Sequence, residues 1–331
     1  MSKVYTVLGP IEPSEVGICD MHEHVLWSSP GWEFSPEAFQ HFDRPRVFEK
    51  IQTDLLAFKS LGGQTIVDVS GIGMGRDVQF YADLSRETGV NIVACTGFWA
   101  ERKILTFFRP SSDAAYISRP SIYERDVDFL SELFVHEVTK GMGTTDVRAG
   151  VIKVGTSRDE MTPLEEQTFR ATARASRKTG VAVTTHGANL VERQAEIFLE
   201  EGVDPSRIVI GHLDDKTAID LERDKRLGRK GFNLGYDHIG ILPDWSPMYY
   251  AMPDEARADL VVAMIEAGFL DQIVVACDTN AWSVGLVHRG TPESTYAHLL
   301  QSWVPLLKSR AVTEAQINTM LVETPKRILP F

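Results

Sequence analysis

Val16-Gly17-Ile18-Cys19-Asp20-Met21-His22-Glu23-His24 is an apolar run that ends in two histidines one residue apart. Successive side chains of an extended strand point to opposite faces, so His22 and His24 share one face and Glu23 takes the other. Neutral imidazole is the commonest metal ligand among side chains, but a pair holds an ion only when donors from distant sequence converge on it. The reading of the whole chain turns on whether further strands deliver such donors.

They recur at regular intervals. Short β-branched runs occupy Val16 to His22, Gln64 to Ser70, Asn91 to Gly97, Gly150 to Gly155, Val181 to His186, Arg207 to His212, Phe232 to Asp237 and Gln272 to Asp278. Helical stretches lie between them at Arg46 to Leu61, Asp77 to Thr88, Ile122 to Lys140, Pro163 to Thr179, Val191 to Glu201, Lys216 to Arg229, Asp254 to Ala267 and Pro292 to Ser309. Several open on Pro, Asp or Ser and close near Gly, as helix termini do. Eight alternations predict an α/β fold, a (β/α)8 TIM barrel with a short N-terminal extended segment from Tyr5 to Gly9. A doubly wound nucleotide fold would carry a glycine-rich loop after its first strand. Here Gly71-Ile72-Gly73-Met74-Gly75 follows the second strand with the wrong spacing. With no linker or low-complexity tract in view, residues 1–331 read as a single barrel domain.

Composition narrows the partners. The 331-residue chain is 43% hydrophobic and 24% charged, with a formal charge of -12. Nucleic acid and anionic membrane surfaces demand basic patches, so neither is an expected partner. No run approaches the roughly 18 apolar residues of a membrane span, and the N-terminus lacks the apolar core of an export signal, so the expected location is cytoplasmic. Cys19, Cys95 and Cys277 sit in strand-like runs without Cys-X-X-Cys spacing and read as reduced core thiols. The basic cluster Arg223 to Lys230 reads as a solvated helix end.

Barrel enzymes place their chemistry at the C-terminal ends of the strands. His22 and His24 close strand one, Lys153 lies in strand four, His186 ends strand five, His212 ends strand six and Asp278 ends strand eight. Six residues of metal-binding type converging there make an inventory for two divalent ions. Lysine as an ammonium repels cations; a buried lysine of lowered pKa can instead add CO2 and become an anionic carbamate that bridges two ions. Two ions about 3.5–4 Å apart share a hydroxide made available near neutral pH. His41, His136, His288 and His298 lie away from strand ends, and only His288, in the last long loop, is placed to touch substrate.

Met21-His22-Glu23-His24, Arg148-Ala149-Gly150-Val151-Ile152-Lys153-Val154, Val183-Thr184-Thr185-His186, Ile210-Gly211-His212 and Asp278 resemble, in order and spacing, the motifs of the phosphotriesterase family of the amidohydrolase superfamily. The resemblance spans nearly the whole chain. It implies His22, His24 and Asp278 on the more buried metal, His186 and His212 on the more exposed one, and carbamylated Lys153 between them, with zinc as the ion. Asp214-Asp215 and Tyr236-Asp237-His238-Ile239 resemble the segments of that family's proton relay, implying a catalytic chain from Asp278 through His238 to Asp215. Related lactonases carry Arg where this chain has His238 and Tyr where it has Trp99. Both departures point to the organophosphate-hydrolysing type, with His238, Trp99 and Phe98 against the substrate. The loop from Thr279 to Glu293 matches neither type. The expected function is thus a binuclear hydrolase of small-molecule phosphotriesters or carboxyl esters, the alternative being a lactonase with promiscuous phosphotriesterase activity. A homodimer is the assembly the resemblance implies, and Trp27 and Trp32 read as either its interface or the pocket rim.

Overall fold

Each of the eight β-branched runs forms a strand in the computed structural model, which describes residues 2–36, 42–105, 108–109, 126–243, 251–284 and 295–331. An antiparallel hairpin, β1 (Val4–Thr6) and β2 (Gly9–Ile11), precedes them. The barrel strands are β3 (Ile18–Glu23), β4 (Gly63–Asp68), β5 (Asn91–Phe98), β6 (Val151–Gly155), β7 (Ala182–His186), β8 (Ile208–Ile210), β9 (Asn233–Tyr236) and β10 (Ile273–Val275). Each pairs in parallel with the next. The ring closes between the ends of β10 and β3: Asp278 N donates to His22 O at 3.0 Å and His24 N to Thr279 O at 2.9 Å. Two of the candidate metal-binding strand ends are therefore fastened to each other by backbone.

The strand alternation sorts the core into two layers. Cys19, Val67, Val93, Cys95, Val151, Val209 and Val274 fill the barrel interior. Their neighbours in sequence, such as Ile66, Ile92, Ile152 and Ile210, face the helices and meet Phe58, Phe134 and Phe198. Parallel strands buried on both faces need apolar residues at nearly every position. That is why they read as continuous runs. At the N-terminal ends of the strands, Val4, Val16, Ile328 and Leu329 join the interior cluster, and Lys3 and Phe331 exchange backbone hydrogen bonds of 3.3 and 3.1 Å. One mouth of the barrel is plugged by the two chain termini, leaving the C-terminal mouth for chemistry.

The helices are α1 (Arg44–Ser60), α2 (Val78–Thr88), α3 (Val127–Thr139), α4 (Pro163–Thr179), α5 (Val191–Glu200), α6 (Leu221–Arg229), α7 (Asp254–Glu266), α8 (Val304–Ser309), α9 (Glu314–Asn318) and α10 (Thr324–Ile328). Helix α6 starts five residues after the position expected from sequence. Asp220 is its N-cap, accepting from Arg223 N, and the residues from Lys216 onward belong to the loop. Arg223 and Asp224 are buried, with Asp224 accepting from the Tyr236 hydroxyl, so only the far end of that basic cluster is solvated. Helices α9 and α10 were not anticipated, although Thr313 and Gln316 form a reciprocal capping box that marks the start of the first. No helix among the described residues is long and apolar enough to cross a membrane. All three cysteines are free and buried. His41 and His288 lie outside the described residues.

Candidate metal centre

The strand ends bring the six candidate residues together at the open mouth. Lys153 Nζ stands 2.7 Å from His22 Nε2. His24 Nε2 and His22 Nε2 are 3.2 and 3.8 Å from Asp278 Oδ1. On the opposite side, His186 Nδ1 and His212 Nε2 face each other at 2.6 Å, and the His22 and His212 rings are 5.1 Å apart. His22, His24 and Asp278 could hold one ion between them. Two of the six sit on strained backbone, His212 at φ 60° and Asp278 at φ 49°. Left-handed conformations in non-glycine residues cost energy and gather at functional sites. Here they turn the side chains inward after β8 and β10 have ended.

A layer of acids fixes the imidazoles. Asp237, which directly follows β9, faces two histidines at once: His212 Nδ1 donates to its Oδ1 at 2.7 Å, and its Oδ2 makes a charge-pair contact of 3.0 Å with His22 Nδ1. With Nδ1 protonated toward Asp237, each Nε2 carries its lone pair into the centre. Gly211 makes room for this carboxylate, since an added Cβ there would lie 2.9 Å from Asp237 Oδ2. His24 is oriented in the same way by Ser70, with Nδ1 2.8 Å from Oγ. Ser70 N in turn donates to Asp68. Asp237 was not among the residues singled out from sequence.

The electrostatics are those of a site built for cations. Burial pulls the Lys153 ammonium down to about 8, against opposing pulls from Asp278 and Asp237. Burial and the Lys153 charge lower His22 to about 4. Burial, then the neighbouring His212, holds His186 well below the usual imidazole range. Although burial alone would raise it, Asp278 is held below the usual carboxylate range by the histidines around it. The result is imidazole lone pairs at His22 and His186 and one carboxylate facing a lysine whose charge burial has weakened. Asp278 Oδ1 is buried with no hydrogen bond among the described residues. Such a donor set fits divalent metal and leaves polar atoms unsatisfied without it.

The remaining candidates fall into two groups. His238 stacks on His212 with ring centroids 4.2 Å apart, and its Nε2 is 3.7 Å from Asp278 Oδ2. It is buried behind Asp278, so it joins the centre through that carboxylate. Its partner on the other side is Asp214, with Oδ1 3.4 Å from Nδ1 and Oδ2 accepting from His238 N. Asp215 points elsewhere and accepts from Thr217 N and Oγ. Asp214 is itself held by Arg257 Nε at 3.2 Å. Asp214→Asn is expected to lower kcat about 10–100-fold, the usual effect of removing an outer partner of a metal site, with Asp215→Asn the milder change. Steady-state kinetics on the two folded, metal-loaded variants check this; the reverse order would restore Asp215 to the relay.

Trp99 and Phe98 part company. Gly97, at φ 101°, turns the end of β5 where an added Cβ would meet Lys153 O at 2.0 Å. Beyond it the Trp99 ring packs edge-on against His186 at 4.5 Å. Phe98 points the other way, into the helix layer, against Phe134 and Phe108. The expectation that Phe98 lines the pocket is corrected, because period-two alternation sends adjacent residues to opposite faces. Trp27 and Trp32 line a cavity of about 1400 Å³ that Trp99 also borders.

Known proteins share this architecture. The chain matches the phosphotriesterase family over residues 2–329. It is 33% identical to a phosphotriesterase homology protein of Mycobacterium tuberculosis, over 99% of this chain and 98% of that one. An N-acetyltaurine hydrolase of Danio rerio is 30% identical over 99% and 98% of the two chains. An organophosphorus hydrolase of Deinococcus radiodurans superposes with a TM-score of 0.87 over 99% of this chain and 96% of that one, and a six-substitution mutant of a PTE-like lactonase of the same organism with a TM-score of 0.86 over 98% and 99%, each at 29% identity. From strand order, site geometry and these matches, the chain belongs to the phosphotriesterase family.

Proposed function

We propose that the chain is a binuclear metal-dependent hydrolase of phosphotriesters or of carboxyl esters and lactones. In this reading His22, His24 and Asp278 would hold one ion, His186 and His212 the other, and Lys153, once carbamylated, would supply ligand oxygens to the centre; zinc is the expected metal. The ions supply activated water and a Lewis acid for the P=O or C=O oxygen. The protein's part is to hold the ligands and move the proton. Asp278 Oδ2 passes it toward His238 Nε2, and His238 Nδ1 toward Asp214 Oδ1, with contacts of 3.7 and 3.4 Å. Catalytic hydrogen bonds are commonly long before substrate binds. Burial, then the adjacent His212, keeps His238 well below the ordinary imidazole range, so it is neutral.

The observation that carries the reading is Lys153. Its Nζ is buried beside the His22 imidazole at 2.7 Å, and burial eases the loss of its proton, the step that a carbamate requires. The pH dependence follows from the lowered pKa of about 8. CO2 adds only to the neutral amine, which is about a tenth of the population at pH 7 and most of it by pH 9. Reconstitution of metal-stripped protein with zinc, at a dissolved CO2 concentration held constant across the series, is therefore expected to accelerate from pH 7 to 9. A rate flat across that range, measured by return of activity, would contradict the carbamate.

Substrate choice is tested by acid release in a pH-stat with the metal-loaded protein. The panel sets dialkyl aryl phosphates against γ- and δ-lactones of graded chain length. N-acetyltaurine, included because one relative is a hydrolase of that compound, is followed instead by the free amine it releases, since amide hydrolysis near neutral pH yields a carboxylate and an ammonium with no net acid. Fast triester turnover supports Trp99 and His238 as marks of an organophosphate hydrolase; fast lactone opening makes the chain a lactonase. Turnover of none of them would remove the hydrolase reading.

A further inference from the structure

The metal centre is bordered by Trp99, and two cations lie against that indole. The Arg102 guanidinium is 4.7 Å from a Trp99 ring centroid and the Lys103 ammonium 5.7 Å. Lys103 also sits 4.3 Å from the Trp27 ring and donates to Ser29 Oγ. It is only 7% exposed. No carboxylate among the described residues pairs with it, and burial, then the neighbouring Arg102, destabilises its charge. A buried ammonium held by one hydroxyl and two π faces is poorly compensated.

The surrounding charges do not supply the missing anion. In the wall of the large cavity, Arg44 pairs with Asp77, Arg76 pairs with Glu137, and Arg109 is taken up by the carbonyls of Ile104 and Glu101. Arg102 borders that cavity and also a second one of about 190 Å³ lined by His186. Arg102 thus stands between the large cavity and the one beside His186, with Lys103 next to it in the wall of the large cavity. The Trp99 ring touches both Lys103 and His186, through contacts of 5.7 and 4.5 Å.

We propose that Lys103 and Arg102 form an anion subsite, and that the substrate carries a carboxylate, sulfonate or phosphate that docks there while its scissile bond lies beside His186 and Trp99. This rests on the hydrolase reading and narrows its substrate class. The subsite explains why a chain of net charge -12 keeps two adjacent cations at the mouth of its pocket. A fixed ammonium with aromatic walls recognises a negative group on an otherwise apolar molecule.

The test compares matched substrates on the metal-loaded protein: a γ-lactone whose side chain ends in a carboxylate or a sulfonate, and its twin ending in a neutral amide. The wild type is expected to favour the anionic member by about tenfold or more in kcat/KM, the scale of one hydrogen bond to a charged group. Lys103→Met, which keeps the aliphatic packing, should erase that preference mainly through KM, and Lys103→Arg should restore part of it. Equal preference in the wild type, or equal losses for both twins in Lys103→Met, would make Lys103 a pocket wall and overturn the subsite. A second readout is independent of turnover: tryptophan fluorescence titrated with butane-1-sulfonate. Saturable quenching that vanishes in Lys103→Met supports the subsite even if neither lactone is opened. Quenching that persists in Lys103→Met/Arg102→Met places the anion elsewhere and overturns it.

Discussion

Lys153→Ala is expected to lose activity and bound metal together, with kcat/KM falling by at least ~1000-fold. The magnitude comes from removing the metal contribution to the transition state, several kcal/mol, at 1.36 kcal/mol per tenfold. The fold itself should survive. Lys153 makes one weak bond to Thr185 O at 3.3 Å besides its contact with His22, and deleting a buried charge with so few partners removes a desolvation cost. Circular dichroism and thermal melting separate loss of site from loss of fold. A variant that keeps two tightly bound ions per chain would show that Lys153 does not join them.

Asp237→Asn is expected to have the next largest effect, because one carboxylate orients a histidine on each side of the centre. Outer partners of metal ligands are commonly worth 10–100-fold each in affinity or activity. Loss at His22 and His212 together should cost between about 10² and 10⁴-fold. The mechanism is tautomeric. Aspartate takes Nδ1–H from both rings, whereas an amide has a single acceptor oxygen and would donate to the other ring, protonating its Nε2 side. The countervailing charge would also go: Asp237 is held well below the usual carboxylate range, burial notwithstanding, by His212 and His22, and it raises His212 in return. Competition with a chelator measures the affinity of both ions; unchanged affinity in a folded variant would confine Asp237 to structure.

The barrel was legible in the sequence because each strand is buried on both faces and reads as an unbroken β-branched run. His22, His24, Lys153, His186, His212 and Asp278 were legible as candidates because each falls at or near the end of such a run. What the sequence hid depends on single backbone turns. Asp214 and Asp215 are adjacent, and which of them meets His238 is decided by the left-handed turn at His212. Phe98 and Trp99 are likewise adjacent, and alternation around Gly97 sends one to the helix layer and the other to His186. Asp237 beside His238 looked like one more member of a relay segment; only the meeting of β3, β8 and β9 shows that it bonds His22 and His212 together. Nothing local to Lys103 marked it, since its meaning lies in the lack of a pairing carboxylate among the described residues, which only the fold reveals.

The measurement that tests the central claim most directly is the metal content of the purified protein by elemental analysis, taken before and after exposure to a chelator. The six converging donors predict two equivalents of divalent metal per chain, loss of hydrolytic activity as they are stripped, and its return on reloading. Less than one equivalent, with activity indifferent to the chelator, would contradict the binuclear centre.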